Sequence, residues 1–167
     1  MIDNSLLCTD KEFLEMYERN IKRVYQICFM HMKSKFDAED ATQAIFLKFI
    51  QSPKIFEDIE HEKAWFIVIT QNHCRDLLRH WWHSHVISLN ELPEIYSDNK
   101  KSDYSDLVSE LLSLPAKYKM VLYLYYFEGY SVRDISVLLK RNESTIRTQL
   151  SKGRERLKIN LEGYYEQ

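Results

Sequence analysis

The chain has 167 residues, room for one ordinary domain or two small ones. Its 45% apolar and 29% charged residues exclude a disordered chain, and only 3 Gly and 3 Pro argue against the many turns of a β-sandwich or barrel. The net charge is -2, but from Ser131 to Lys158 eight basic residues face three acidic ones, a local +5 that leaves -7 on the remainder.

The opening Met1-Ile2-Asp3 lacks the cationic start of a signal peptide. The longest apolar run, Met120 to Phe127, falls well short of the ~18 residues of a membrane span. A cytoplasmic, non-inserted protein is expected. Cys8, Cys28 and Cys74 are odd in number and lack CxxC spacing, so neither a disulfide framework nor a zinc finger is expected.

Thr9 or Asp10 can cap a first helix over about 11–32, where Phe13, Tyr17, Ile21, Val24, Tyr25 and Cys28 keep three- and four-residue spacing. Asp37 is expected to open a second helix, with Ala41, Ile45, Phe46 and Phe49 inward and Ser52-Pro53 as its stop. A loop, 53–62, leads to a third helix from about Lys63 to Trp82. Its expected buried side is Trp65, Val68, Ile69, Leu77, Leu78 and Trp81.

The polar stretch 97–103 has no periodicity and reads as a linker. The expected organisation is a first domain over 1–83, a flexible linker over 84–105 and a second domain over 106–167. In the second, Leu107 to Leu112 reads as a short helix, and Pro115 suits the first turn of a helix that runs from Ala116 to Phe127 and stops at Gly129. Tyr123, Tyr125, Tyr126 and Phe127 are expected in packing. Ser131 caps Val132 to Leu139, with Asp134 in the position of a capping-box partner. Lys140-Arg141 makes a tight turn, and Asn142 caps a last helix from Glu143 to about Lys158. The fold class is therefore all-α, two small helical domains.

That last helix pair carries the strongest local signal. Two helices on a short turn, the second cationic with short polar side chains outward, match a helix-turn-helix. Ser144, Arg147, Thr148, Ser151 and Arg154 fall on its outer face, and Arg147 can grip a guanine edge in the major groove. Amides at the Asn142 end can hold a phosphate. An amphipathic hairpin with a solvated cationic face would show the same pattern. Asp37, Glu39 and Asp40 put three carboxylates into four residues. They serve either the cap and dipole of a helix start or an acidic patch for a basic partner. In the third helix, Lys63, Gln71, Asn72, His73, Arg75 and Arg79 interleave with Trp65 and Phe66. Such a face suits single-stranded nucleic acid, and equally a core helix with a wet back. Cys74, His80, His83 and His85 show intervals that match no compact metal site. No glycine loop for phosphate and no Ser/His/Asp or Cys/His arrangement is legible. Neither catalysis nor a cofactor is expected.

Together these segments resemble a bacterial RNA polymerase sigma factor of the extracytoplasmic-function group, over about 11–82 and 107–158. The run Asp37-Ala38-Glu39-Asp40-Ala41-Thr42-Gln43-Ala44-Ile45-Phe46-Leu47 is similar to that group's polymerase-docking helix. Ala64-Trp65-Phe66, Ile69, Asn72 and Asp76-Leu77-Leu78-Arg79 are similar to its promoter-melting helix. Leu114-Pro115, Glu128-Gly129-Tyr130-Ser131 and Thr145-Ile146-Arg147 are similar to its second domain. Lys140 stands where the group has a turn glycine, so this turn must close without one.

The resemblance implies that Asp37, Glu39, Asp40, Gln43 and Phe46 dock on the clamp helices of the polymerase largest subunit. It implies that Phe56, Lys63, Trp65, Asn72, Arg75 and Arg79 meet the start-site-proximal promoter element, with a flipped base held by the loop at Phe56. Arg141, Ser144, Thr145, Arg147, Thr148, Ser151 and Lys152 would read the upstream element, with the second domain on the polymerase flap. The acidic linker, with Glu91, Glu94, Asp98 and Asp103, would thread toward the active centre, and an anti-sigma factor would hold the protein inactive. The function implied is promoter selection for core polymerase. The alternative is a stand-alone helix-turn-helix regulator, which the acidic remainder disfavours because phosphate neutralisation drives non-specific DNA affinity.

Overall fold

A computed structural model describes residues 9–84 and 109–165, with side chains through 81 and through 158. Among the described residues all regular structure is helical. The chain divides into two compact units, 1–96 and 97–167. The linker expected at 84–105, with its four acids, lies outside the described residues save for its first position.

The first unit is built from α1 (Asp10–Met32), α2 (Lys35–Gln51) and α3 (Ile59–Ser84). Thr9 caps α1 reciprocally: its hydroxyl accepts from the Glu12 amide at 3.2 Å, and the Glu12 carboxylate accepts from the Thr9 amide at 2.8 Å. Lys33 ends α1 in the left-handed region at φ 57°. The cap of α2 is Ser34, whose hydroxyl accepts from the Asp37 amide, so Asp37 sits in the first turn and not at the cap. Asp58 plays the same part for α3, accepting from the His61 amide at 2.7 Å. The third helix thus begins at Ile59, earlier than the polar stretch before Lys63 suggests.

Helix α1 packs on both α2 and α3, which also meet each other. Met16, Val24, Ile45, Phe46, Phe49 and Phe66 fill the core. Its aromatic rings interlock: Phe46 lies 5.4 Å from Phe66, and Trp65 sits edge-on to Phe66 at 4.9 Å. Helix α3 turns Phe66, Ile67, Thr70 and Cys74 fully inward. Trp65, Val68 and Ile69 are only half-buried, and Leu77 is exposed, so the inward stripe is rotated from the expected one. Thr70 is tolerated there because its hydroxyl donates to the Phe66 carbonyl.

The second unit has a short helical stretch at 109–113, then α4 (Ala116–Leu122), α5 (Val132–Leu139) and α6 (Glu143–Tyr165). Pro115 stands just before α4 and supplies its cap position. The helix does not stop cleanly. It widens into a π turn over Tyr123–Phe127, closed where the Glu128 amide donates to the Tyr123 carbonyl at 3.2 Å, and the Tyr123 hydroxyl also donates to the Glu128 carboxylate at 2.7 Å. Gly129 then adopts φ 72°, a conformation that a side chain resists. Tyr123 is buried as expected, but the π register throws Tyr125, Tyr126 and Phe127 outward.

Ser131 caps α5, accepting from the Asp134 amide at 3.1 Å while its hydroxyl donates to the Asp134 carboxylate at 2.8 Å. The turn closes with Lys140 itself in the left-handed region, φ 52° and ψ 50°. The Arg141 amide bonds back to the Ser136 carbonyl at 3.0 Å. Helix α6 then lays Ile146, Leu150 and Gly153 against the rest of the unit. Gly153 is small because α4 needs the space: a Cβ there would lie 3.1 Å from a Leu122 methyl.

Candidate nucleic-acid and partner interface

On α2 the residues Asp37, Glu39, Asp40 and Gln43 are all exposed. Phe46 is not: it is 5% exposed and packs on Tyr17 and Phe66. It shapes the helix from behind. Asp40 and Gln43 instead share their stripe with Phe36, Leu47 and Ile50, three or four residues apart along the helix. Those three apolar side chains are 71%, 55% and 52% exposed. Acidic, hydrogen-bonding and apolar side chains thus lie side by side on one uncovered helix face. The sequence reading assigned Ala41, Ile45, Phe46 and Phe49 to the inward side and gave no role to the exposed apolar side chains of Phe36 and Ile50.

On α3, Asn72, Arg75 and Arg79 are exposed at three- and four-residue spacing and form one stripe. The Arg75 guanidinium donates to the Asn72 side chain at 3.1 Å, and Arg79 lies 4.0 Å from Asp76. Trp65 is half-buried on the same side of the helix, with the Lys54 ammonium 5.9 Å from its ring centre. Lys63 lies nine residues before Asn72, about two and a half turns away, and so points to the other side of α3. Phe56 folds back onto the aromatic core, stacked on Phe49 at 6.1 Å and near Trp65 at 5.6 Å. Its neighbour Ile55 is the exposed one, at 75%. Lys54 reaches this side of α3 through Trp65, and the loop's lack of periodicity hid it in the sequence.

Next to the stripe, the Lys48 ammonium lies 3.0 Å from Nδ1 of His73. Burial pushes the His73 imidazole below its usual value, and the Lys48 charge pushes the same way.

On α6, Ser144, Thr145, Arg147, Thr148, Ser151 and Lys152 are exposed together on the face away from Ile146 and Leu150. Arg147 leans on Glu143 at 3.4 Å, a weak exposed pair that leaves the guanidinium available. Lys117 and Tyr118 of α4 close a shallow cleft with Ser144, Thr145, Thr148 and Lys152. Lys117 is the cation that reading α6 alone misses. Arg141 is half-buried and donates to Gln149 at 2.9 Å, which fixes the start of α6. Arg154 donates to the Tyr126 hydroxyl at 3.0 Å, joining the cationic helix to the exposed aromatic turn.

No cluster of three or more His, Cys, Asp or Glu among the described residues could hold a metal ion. No helix among them is long and apolar enough to cross a membrane.

Comparison with known proteins places these faces in one family. Residues 16–83 match the family model of Sigma-70 region 2, and 105–157 match that of Sigma-70, region 4. The chain is 29% identical over 139 residues to RNA polymerase sigma factor SigV of Bacillus subtilis, covering 82% of this chain and 83% of that one. It is 27% identical over 158 residues to ECF RNA polymerase sigma factor SigE of Mycolicibacterium smegmatis, covering 86% of this chain and 59% of that longer protein. The sigma factor RpoE of Bartonella quintana, solved with the anti-sigma factor NepR, shares the fold: TM-score 0.70 at 19% identity, over 91% of this chain and 98% of that one. Helix α2 with its exposed stripe lies inside the first match and the cationic helix pair inside the second, and the chain belongs to the RNA polymerase sigma factors, in their extracytoplasmic-function group.

Proposed function

We propose that the chain acts as a promoter-specificity subunit in the cytoplasm, binding core RNA polymerase, directing it to a class of promoters and helping to open the duplex. It is a non-enzymatic initiation subunit. In this reading residues 1–83 dock on core enzyme and handle the start-site-proximal element, 84–105 link, and 106–167 read the upstream element. Asp37, Glu39, Asp40 and Gln43 meet the polymerase, with Phe46 supporting them from the core. Asn72, Arg75, Arg79 and Trp65 face melting DNA. Arg147, Thr148, Ser151 and Lys152 face the upstream element.

The observation that carries this reading is the α2 stripe. Exposed Phe36, Leu47 and Ile50 cost free energy in water, roughly 25 cal/mol for each Å² left uncovered. Asp40 and Gln43 among them give that surface direction and charge preference. An anti-sigma factor that covers the same surfaces would keep the chain off the polymerase, as the partner of the Bartonella protein suggests.

Run-off transcription on a library of genomic promoters tests the function. With purified core enzyme the chain should yield discrete start sites that core alone does not give. No promoter-dependent transcript from any bacterial core enzyme would reject the reading.

A further inference from the structure

Cys28 of α1 and Cys74 of α3 face each other at the centre of the first unit. Both are fully buried reduced thiols, and their sulfurs are 3.7 Å apart. A disulfide requires about 2.05 Å, so the two sulfurs need close by less than about 2 Å. The two cysteines lie 46 residues apart in the chain, on helices already packed together. No part of the docking or promoter-facing surfaces uses either of them.

The pair is asymmetric. The Cys74 thiol donates to the Cys28 sulfur, and this hydrogen bond pulls the Cys28 thiol below its usual value despite burial, with the Thr42 hydroxyl acting in the same sense. The same hydrogen bond, with burial, pushes the Cys74 thiol up. Cys28 is therefore the sulfur that ionises first, and Cys74 is the proton-bearing partner beside it.

We propose that Cys28 and Cys74 form a buried dithiol that a hydroperoxide converts to an α1–α3 disulfide, and that this bond impairs promoter opening. The second half rests on the promoter-facing reading of α3 given above. In the first step the Cys28 thiolate attacks one peroxide oxygen. The S–O bond forms, the O–O bond breaks, and the departing oxygen takes a proton to leave as water or alcohol. In the second step the Cys74 sulfur attacks the Cys28 sulfenic acid. The S–S bond forms, the S–O bond breaks, and the hydroxyl leaves as water with the Cys74 proton. Two electrons pass from the dithiol to the peroxide.

The position of Cys74 gives the bond its consequence. Asn72 and Arg75 flank it in sequence and are exposed, so drawing the Cys74 sulfur toward α1 moves the stripe that carries them. Burial sets the reagent: a small hydroperoxide enters as the helices breathe, while bulky thiol reagents are excluded. In a reducing compartment, disulfides that do form are mostly transient or sensing ones.

The test uses the full chain carrying Cys8→Ser, since Cys8 lies outside the described residues. The folded protein is treated with hydrogen peroxide, quenched, and digested without reductant. The expected product is one peptide pair joined through Cys28 and Cys74, lighter by two hydrogens and separated again by dithiothreitol. The oxidised chain, added to core polymerase, should show a several-fold loss of permanganate-reactive promoter DNA that reductant restores. Cys74→Ala, which cannot complete the second step, should open DNA normally and keep opening it after peroxide; should that variant fail to fold, the peptide map of the Cys8→Ser chain still decides. Two thiols alkylated when the peroxide-treated chain is then unfolded, or a disulfide with unchanged opening, would overturn the proposal. A reduced chain that never opens DNA would instead sink the promoter reading, while the peptide map judges the dithiol separately.

Discussion

Glu62, in the first turn of α3, grips Arg19 of α1 with both carboxylate oxygens: Nε to Oε1 at 3.0 Å and Nη2 to Oε2 at 2.8 Å. The buried Asn20 amide donates to the same Oε1 at 2.6 Å and to the Met16 carbonyl, and Arg23 in turn donates to the Asn20 oxygen. The network is how a buried carboxylate is tolerated: Oε1 accepts two hydrogen bonds and Oε2 one, two of the three from a guanidinium. It also fixes where α3 starts, and so the height at which Asn72, Arg75 and Arg79 stand above the core.

Replacing Glu62 should therefore be costly. The Glu62 side chain is 8% exposed and that of Arg19 39%, so solvent can recover part of the arginine's loss but little of Asn20's. Glu62→Ala is expected to destabilise the first unit by about 2–3 kcal/mol. Urea unfolding followed by circular dichroism measures it; a midpoint equal to wild type would contradict the structural role given to this cluster.

Lys140 predicts the opposite sign. Its left-handed backbone costs a side-chain-bearing residue roughly 1–2 kcal/mol. Glycine removes that strain and returns part of the gain through its freer unfolded chain. Lys140→Gly should stabilise the second unit by about 1 kcal/mol. A lower urea midpoint would show that side-chain contacts of Lys140 outweigh its backbone strain.

His73 gives a pH dependence. Burial first, and Lys48 second, hold its imidazole below the usual 6.5, against a weaker upward pull from Asp76. The folded state thus favours the neutral ring, and the unfolded state binds the proton more readily. Stability from this group is complete above about 6.5 and falls as pH drops from there through the lower folded value. His73→Gln should flatten that part of the stability profile. An unchanged slope across the same window would place the acid sensitivity elsewhere.

Arg147 tests the proposed role of α6. If its fork grips a guanine edge, Arg147→Ala should cost about 1–3 kcal/mol of discrimination between the preferred upstream element and its mutated versions. Competition transcription on paired templates measures it. An equal loss on every template would mark Arg147 as a phosphate contact.

Much of this architecture was legible from local chemistry. Thr9 and Ser131 announced their helices because a cap needs a short side-chain oxygen at one position, and the turn before α6 showed as Lys140-Arg141-Asn142 between two periodic runs. The inward face of α3 was harder. It includes Glu62, Thr70 and Cys74, which read as polar or neutral until Arg19, the Phe66 carbonyl and Cys28 are seen to satisfy them. Trp65, Val68 and Leu77 looked more apolar and drew the stripe the wrong way. The π turn leaves no periodic trace, so nothing local distinguished buried Tyr123 from exposed Tyr126 and Phe127. Of the interface, the charges were visible in advance, but the apolar half of the α2 stripe was not, because only the fold shows which side of a helix is left uncovered.

DNA recognition by this chain is expected to wait for core polymerase. The cationic helix is local, and outside Ser131 to Lys158 the chain carries -7, which opposes approach to phosphate. The direct measurement is a gel-shift titration of promoter DNA with the full chain, with and without purified core enzyme. The expected result is no sequence-specific shift by the chain alone and a specific, opened complex once core enzyme is present. Tight, sequence-specific binding by the isolated chain, unchanged by core enzyme, would rule out a dependence on core polymerase.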